Sequence, residues 1–164
     1  MYEKIVVPLD GSKLAECVLP YVEELAKGCD TKEIILISVT ENVVGYKADA
    51  DYRQAAGPFP PLEPVTKVAV AVGTKQGQAE RYLGRIAKQL DGKGTKLRTE
   101  VLLGNPAQEI ASFAEHDGAD IIVMASHGRS GLSRWAYGSI ADKVFRASRL
   151  PVLMIKAPGY VPGI

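Results

Sequence analysis

The sequence predicts an α/β fold: a doubly wound parallel sheet of five strands in the order 3-2-1-4-5, with helices on both faces, of Rossmann-like type. Three observations predict it. Short apolar runs alternate with segments of helical periodicity along the chain, the pattern of repeated β-α-β units. The runs at 5–9, 33–39 and 120–125 are largely apolar at successive positions, so both faces of those strands must be covered, as in a parallel sheet. Right-handed crossovers between parallel strands then leave few topologies. One such pattern fills the 164 residues without an internal repeat, so a single domain over 1–164 is expected, with an irregular insertion at about 41–64.

The first run, 5–9, ends in Asp10-Gly11-Ser12, where Ser12 is a natural N-cap. Ala15, Val18, Leu19, Val22, Leu25 and Ala26 follow as a three-and-four stripe. Pro20 falls inside that stripe; a proline removes one helix hydrogen bond, so one bent helix is expected and not two. Cys17 and Cys29, on that helix or at its end and without ligand spacing, read as small buried apolar residues. After the second strand, 33–39, residues 40–64 hold Gly45, Gly57, Pro58, Pro60, Pro61 and Pro64 and read as a long loop. From Val65 to Leu90 the apolar spacing is helical, in one long helix that Gly73 and Gly77 weaken by about 1 kcal/mol each. A turn at 91–94 leads to an alternating strand at 97–102. Gly104 and Pro106 open a helix that turns Ile110, Phe113 and Ala114 inward. The fourth strand is 120–125, the last helix 139–148 has Ile140, Val144 and Phe145 on one side, and 151–155 is the fifth strand.

Twenty Lys and Arg stand against 19 Asp and Glu, interspersed along the chain, which leaves no electrostatic footprint for a nucleic-acid backbone. The chain opens almost at once on an apolar strand, with no signal-like stretch and no apolar run near the ~18 residues of a membrane span. A cytoplasmic protein is expected, with neither nucleic acid nor membrane as partner.

In a doubly wound sheet, ligands bind beyond the carboxyl ends of the strands where the winding reverses, here between the first and fourth strands. That sets Pro8, Leu9 and Asp10 beside the segment 124–139, Met-Ala-Ser-His-Gly-Arg-Ser-Gly-Leu-Ser-Arg-Trp-Ala-Tyr-Gly-Ser. Gly128, Gly131 and Gly138 permit close backbone approach, and the N–H groups of Ser139 and Ile140 fall at a helix start. Such a helix end carries about half a positive charge, and each N–H bonded to an ionised oxygen contributes about 1.5–3 kcal/mol. Three or four such bonds with a buried purine reach micromolar affinity, about −8 kcal/mol. Other phosphate motifs are missing: Gly92-Lys93-Gly94-Thr95 lacks the leading glycine of GxxxxGK[ST], and no GxGxxG follows the first strand. A phosphorylatable receiver would cluster carboxylates where Asp10 stands alone.

The loop resembles that of the universal stress protein family, whose ATP-binding members carry a glycine, two residues, a glycine, nine residues, then glycine and serine or threonine. Here Gly128, the nine residues 129–137 and Gly138-Ser139 match, with Ala125 in place of the first glycine. The resemblance extends to Val6-Val7-Pro8-Leu9-Asp10-Gly11-Ser12, to Gly104-Asn105-Pro106 and to 149–155, and covers most of the chain outside 41–75. It implies a site for ATP or another adenine nucleotide. Asp10 would bond a ribose hydroxyl, Val39 and Met124 would flank adenine, and Gly128, Gly138 and Ser139 would hold phosphates. Pro8, Leu9, Ala125, His127, Arg129 and Ile140 complete that lining, and Mg or Mn would ride on the phosphates without protein ligands. The resemblance further implies a homodimer through the last strand, Val152, Leu153, Met154 and Ile155, whose short apolar edge invites pairing.

The residues themselves leave several roles open. Asp10 also suits a turn before a helix. His127 has no carboxylate to orient it and reads as shaping the loop, Arg129 can reach phosphate or solvent, and Trp135 and Tyr137 read as packing groups. His116, between Glu115 and Asp117, reads as an exposed helix end. No catalytic set is visible. Three functions follow: an ATP-dependent regulatory switch in a stress response acting through an unidentified protein partner, a slow metal-dependent ATPase, or a nucleotide-free dimeric interaction module.

Overall fold

The computed structural model describes residues 1–40, 63–90, 94–126 and 139–156, with side chains of the third helix from residue 75 onward. Strands β1 (Lys4–Pro8), β2 (Glu33–Thr40), β3 (Lys96–Leu103), β4 (Ile121–Ala125) and β5 (Val152–Ile155) form one parallel sheet in the order β3-β2-β1-β4-β5. This is the expected order. The helices are α1 (Lys13–Glu16), α2 (Leu19–Cys29), α3 (Glu63–Gln89), α4 (Pro106–His116) and α5 (Ser139–Ala147).

Successive strand residues point to opposite faces, so the inner strands feed two cores. On one face Ile5, Val7, Leu36 and Val123 meet Val18 at the α1–α2 junction, Val22 of α2, and Leu83 and Ile86 of α3. On the other, Val6, Ile35, Ile37 and Ile122 meet Ile110 and Ala114 of α4 and Ala141 and Val144 of α5. Each aliphatic side chain removed from water in these layers contributes about 1.5–3 kcal/mol. The continuous apolar runs are therefore a direct consequence of helices on both sides.

Two expectations about helices are corrected. In place of one bent helix, Pro20 marks a division into α1 and α2. Cys17 donates to the Leu14 carbonyl (3.3 Å) in a tight closing turn, and α2 restarts with Val22 donating to Val18 (3.0 Å). Pro20, having no N–H to offer the preceding turn, sits in the first turn of α2, where none is required. On α5, Ile140 and Phe145 do not join Val144 inside: they are 41% and 56% exposed, while Ala141 and Val144 are buried. The small Ala141 takes the inward place beside α4. Cys17 and Cys29 are half-buried, not buried, with Cys17 against the first core. Ile110 and Ala114 face inward as expected, Phe113 packs at the layer's margin and His116 is exposed.

The amino end of the sheet is closed by charge. Lys4 Nζ lies 3.1 Å from Asp117 Oδ2 and donates to the Asp117 carbonyl at 2.6 Å, and Arg98 Nη2 reaches the same carboxylate at 2.6 Å. Glu33 takes Lys96 at 2.9 Å and Lys4 at 3.7 Å. The Arg98 guanidinium also lies over the Phe113 ring, 5.9 Å from its centroid. The hydrogen bond from Arg98 holds the Asp117 carboxyl below its ordinary range, and that from Lys96 does the same for Glu33.

Candidate functional site

The opposite end of the sheet is where the candidate residues gather. β1 and β4 pair at Ile5–Ile121 and Val6–Ile122, and among the described residues the ladder between them stops there, although β1 runs on to Pro8 and β4 to Ala125. The flanking strands hold on longer: β2 follows β1 to Pro8–Ile37, and β5 follows β4 to Ala125–Ile155. The sheet's winding reverses between these two strands, and such a reversal is where ligands enter doubly wound sheets.

Pro8 and Leu9 are buried at its β1 side, with the Leu9 N–H donating to the Ile37 carbonyl (2.8 Å). Asp10 follows, partly exposed, and its Oδ1 accepts from the Ser12 N–H at 2.9 Å. Gly11 turns there with φ +84°, a conformation that costs a residue with a side chain. Ser12 Oγ then accepts from the Ala15 N–H (3.1 Å) and caps α1. The turn role of Asp10 is thus observed; a carboxylate accepts about four hydrogen bonds, so the same group can also serve a ligand.

On the β4 side, Met124 is buried and shares its sheet face with the half-buried Val39 of β2, the face covered by α4 and α5. Ala125 faces the other way, into the core with Leu9 and Ala15, at 7% exposure. Its methyl is a packing group on the α1–α2–α3 side of the sheet. Ser126, which the sequence reading does not single out, is buried and its N–H donates to the Ile155 carbonyl (2.8 Å). Its place one residue beyond a buried strand is the signal that could have marked it. Ser139 and Ile140, both exposed, form the start of α5, where the first N–H groups have no acceptor within their own helix. His127, Gly128, Arg129, Gly131, Trp135, Tyr137 and Gly138 lie outside the described residues, as do 41–62.

The surroundings of Asp10 carry charge. Burial works to raise the Glu16 carboxyl, but Lys13 Nζ at 2.6 Å and Arg85 Nη2 at 3.1 Å outweigh it and hold the group below its ordinary value. Tyr82 of α3 has its hydroxyl shut off from solvent and outside strict hydrogen-bond geometry. Burial first, then the carboxylates of Glu16 and Asp10, push that phenol up and keep it neutral. Among the described residues no group of three or more His, Cys, Asp or Glu is placed to hold a metal. At the carboxyl end of β3, Gly104 (φ +149°) turns the chain into α4; a Cβ there would stand 2.6 Å from Glu109 Oε1. Asn105 Oδ1 caps α4, accepting from Ala107 (3.2 Å) and Gln108 (3.4 Å).

A five-stranded parallel sheet whose winding reverses between β1 and β4, with an Asp-Gly-Ser turn at that end, defines a doubly wound α/β protein of Rossmann-like type. The sequence profile of the Universal stress protein family matches residues 1–156. The chain belongs to that family. It is 32% identical over 158 residues to universal stress protein MJ0531 of Methanocaldococcus jannaschii, covering 96% of this chain and 84% of that protein. It is also 32% identical over 157 residues to universal stress protein MJ0577 of the same organism, covering 95% and 96%. The solved structure of MJ0577 superposes with a TM-score of 0.76 at 28% identity, over 98% of this chain and 99% of that one. No helix among the described residues is long and apolar enough to cross a membrane.

Proposed function

We propose that this chain binds an adenine nucleotide in the crevice between β1 and β4 and acts as a nucleotide-dependent regulatory switch in the cytoplasm. The observation that carries the reading is the early end of the β1–β4 ladder at Val6–Ile122, with Asp10 on one lip and the start of α5 beyond the other. Adenine fits against Met124 and Val39, which share an apolar face, and Asp10 supplies the acceptor a ribose hydroxyl needs. Ser139 and Ile140 at the positive end of α5 suit phosphate, and the glycine motif of the sequence, Gly128 and Gly138, is the proposed further phosphate contact. Two further structures of similar fold support the ligand class. One is a universal stress protein in complex with cAMP (19% identity, TM-score 0.57), the other an Arabidopsis thaliana member of the family with AMP bound (14%, 0.59).

ATP is the nucleotide proposed, its Mg or Mn held by phosphate oxygens. A switch requires that a partner protein distinguish the occupied from the empty state, since a ligand shifts an equilibrium only by its differential affinity. Native mass spectrometry of the gently purified protein tests the reading. A retained adenine nucleotide of one mass per chain supports it; a protein that neither retains nor takes up ATP, AMP or cAMP is the nucleotide-free alternative.

The two sheet edges support the proposed homodimer. β3 carries Lys96, Arg98 and Glu100, charges that discourage strand addition, whereas β5 offers only Val152, Leu153, Met154 and Ile155, with Leu153 37% exposed. Pairing through β5 would cover that apolar edge. Light scattering should give a dimer mass for the natural chain and a monomer for Leu153→Lys; a natural monomer at micromolar concentration refutes the pairing.

A further inference from the structure

The outer face of α3 bears a feature that neither the crevice nor the fold uses. Leu83, Ile86 and Leu90 turn inward, so Arg81, Gly84, Arg85 and Lys88 come together on the exposed side, where with Gln89 they line one open hollow. Gly84 is the floor. A Cβ built there would meet nothing within 4 Å, so no neighbour in the fold demands a glycine, and glycine within a helix costs stability. Arg81 lies back along the helix, its Nη1 3.6 Å from where a Cβ on Gly77 would stand.

Two of the three cations lack a carboxylate among the described residues. Arg85 is held in place by Glu16 (3.1 Å) and by the Tyr82 ring, 5.3 Å from its guanidinium carbon. Among the described residues neither Arg81 nor Lys88 has a carboxylate partner, and Glu80, next to Arg81 in sequence, accepts from Gln76 (3.0 Å). Three like charges on one helix face repel one another. A missing side chain at Gly84 and the unpaired charges of Arg81 and Lys88 both weaken α3 for no return within the described residues, and both suit a closely approaching chain that carries acidic side chains.

We propose that this face of α3 docks an acidic peptide segment of a partner protein, its main chain over Gly84 and its carboxylates on Arg81, Arg85 and Lys88. Charge complementarity selects the occupant. The rest of the chain is balanced, at 20 basic against 19 acidic residues, and the patch is confined to two turns of one helix, which suits a short acidic motif better than an extended phosphate backbone. The surface goes beyond the nucleotide reading and does not depend on it.

Fluorescence anisotropy on the nucleotide-free full chain, with a labelled oligoglutamate peptide, tests the proposal. Saturable binding that weakens as salt is raised is expected. The double variant Arg81→Gln/Lys88→Gln should lower affinity about tenfold. Gly84→Leu should also weaken binding while raising the melting temperature, a pairing that a purely structural glycine would not produce. These positions are solvent-facing, and circular dichroism of each variant verifies the fold; should the double variant unfold, Gly84→Leu alone decides. Failure to bind oligoglutamate, unchanged affinity in the variants, or tighter binding of a single-stranded oligonucleotide than of the peptide would each overturn it.

Discussion

At the amino end of the sheet Lys4, Glu33, Lys96, Arg98 and Asp117 neutralise one another across three strands and the end of α4, whereas at the carboxyl end Asp10, Ser12 and the start of α5 stand around a gap in the β1–β4 ladder. The first arrangement uses its charges on itself. The second uses one carboxylate oxygen to make a turn and directs a helix terminus outward. Parallel strands supply the polarity: every crossover enters at one end and leaves at the other, so one end can be closed for stability while the other is shaped by loops. Stability and the proposed ligand chemistry are thus separable along the strand direction, and substitutions can test the separation.

The largest effect is expected at the amino end. Asp117→Ala leaves Arg98 and Lys4 partly buried without their shared carboxylate and should cost about 2 kcal/mol of unfolding free energy, measured in urea, while nucleotide affinity stays within about twofold. A parallel loss of affinity would break the division between the ends. Next, Asp10→Ala should weaken adenine-nucleotide binding about tenfold by calorimetry, the worth of one charge-assisted hydrogen bond. Its effect on stability should remain below about 1 kcal/mol, because Asp10 is partly exposed and its hydrogen bond to the Ser12 N–H is a local turn contact.

A smaller effect follows from pH. Glu33 and Asp117 have folded values below their ordinary 4.5 and 3.8, so the folded state binds fewer protons than the unfolded one in that range. Their stabilisation is complete above about pH 5 and is lost as pH falls through 4 and below; melting temperature should drop over that range, and by less in the Asp117→Ala variant. The smallest change is expected for Ile140→Ser: since that side chain is 41% exposed, unfolding free energy should shift by less than about 0.5 kcal/mol.

Much of the fold is legible in the residues because burial on both faces of a strand leaves no choice but apolar runs, as in Ile5-Val6-Val7 and Ile34-Ile35-Leu36-Ile37. Connectivity and handedness supply the order. The division at Pro20 is harder to read, since a proline is compatible with either a bend or a restart, and the choice depends on whether the turn at Cys17 can close. Ile140 and Phe145 mislead because hydrophobicity ranks them above Ala141, yet the close approach of α4 and α5 favours the smaller residue inside. The amino-end network draws on β1, β2, β3 and the end of α4, so no window of sequence contains it. At the carboxyl end, the crevice follows from strand order and the Asp10 turn from its own three residues, while the direction of the Ala125 methyl depends on the phase of β4. The glycine-rich half of the candidate site, 127–138, lies outside the described residues.

Calorimetric titration of the purified, nucleotide-stripped protein with Mg-ATP bears most directly on the crevice. Saturable heat with one site per chain and micromolar affinity, abolished by Gly138→Val with Ser139→Ala, is the expected result. No heat with ATP, AMP or cAMP, or affinity unchanged in that double variant, would contradict the assignment of the carboxyl end as a nucleotide site.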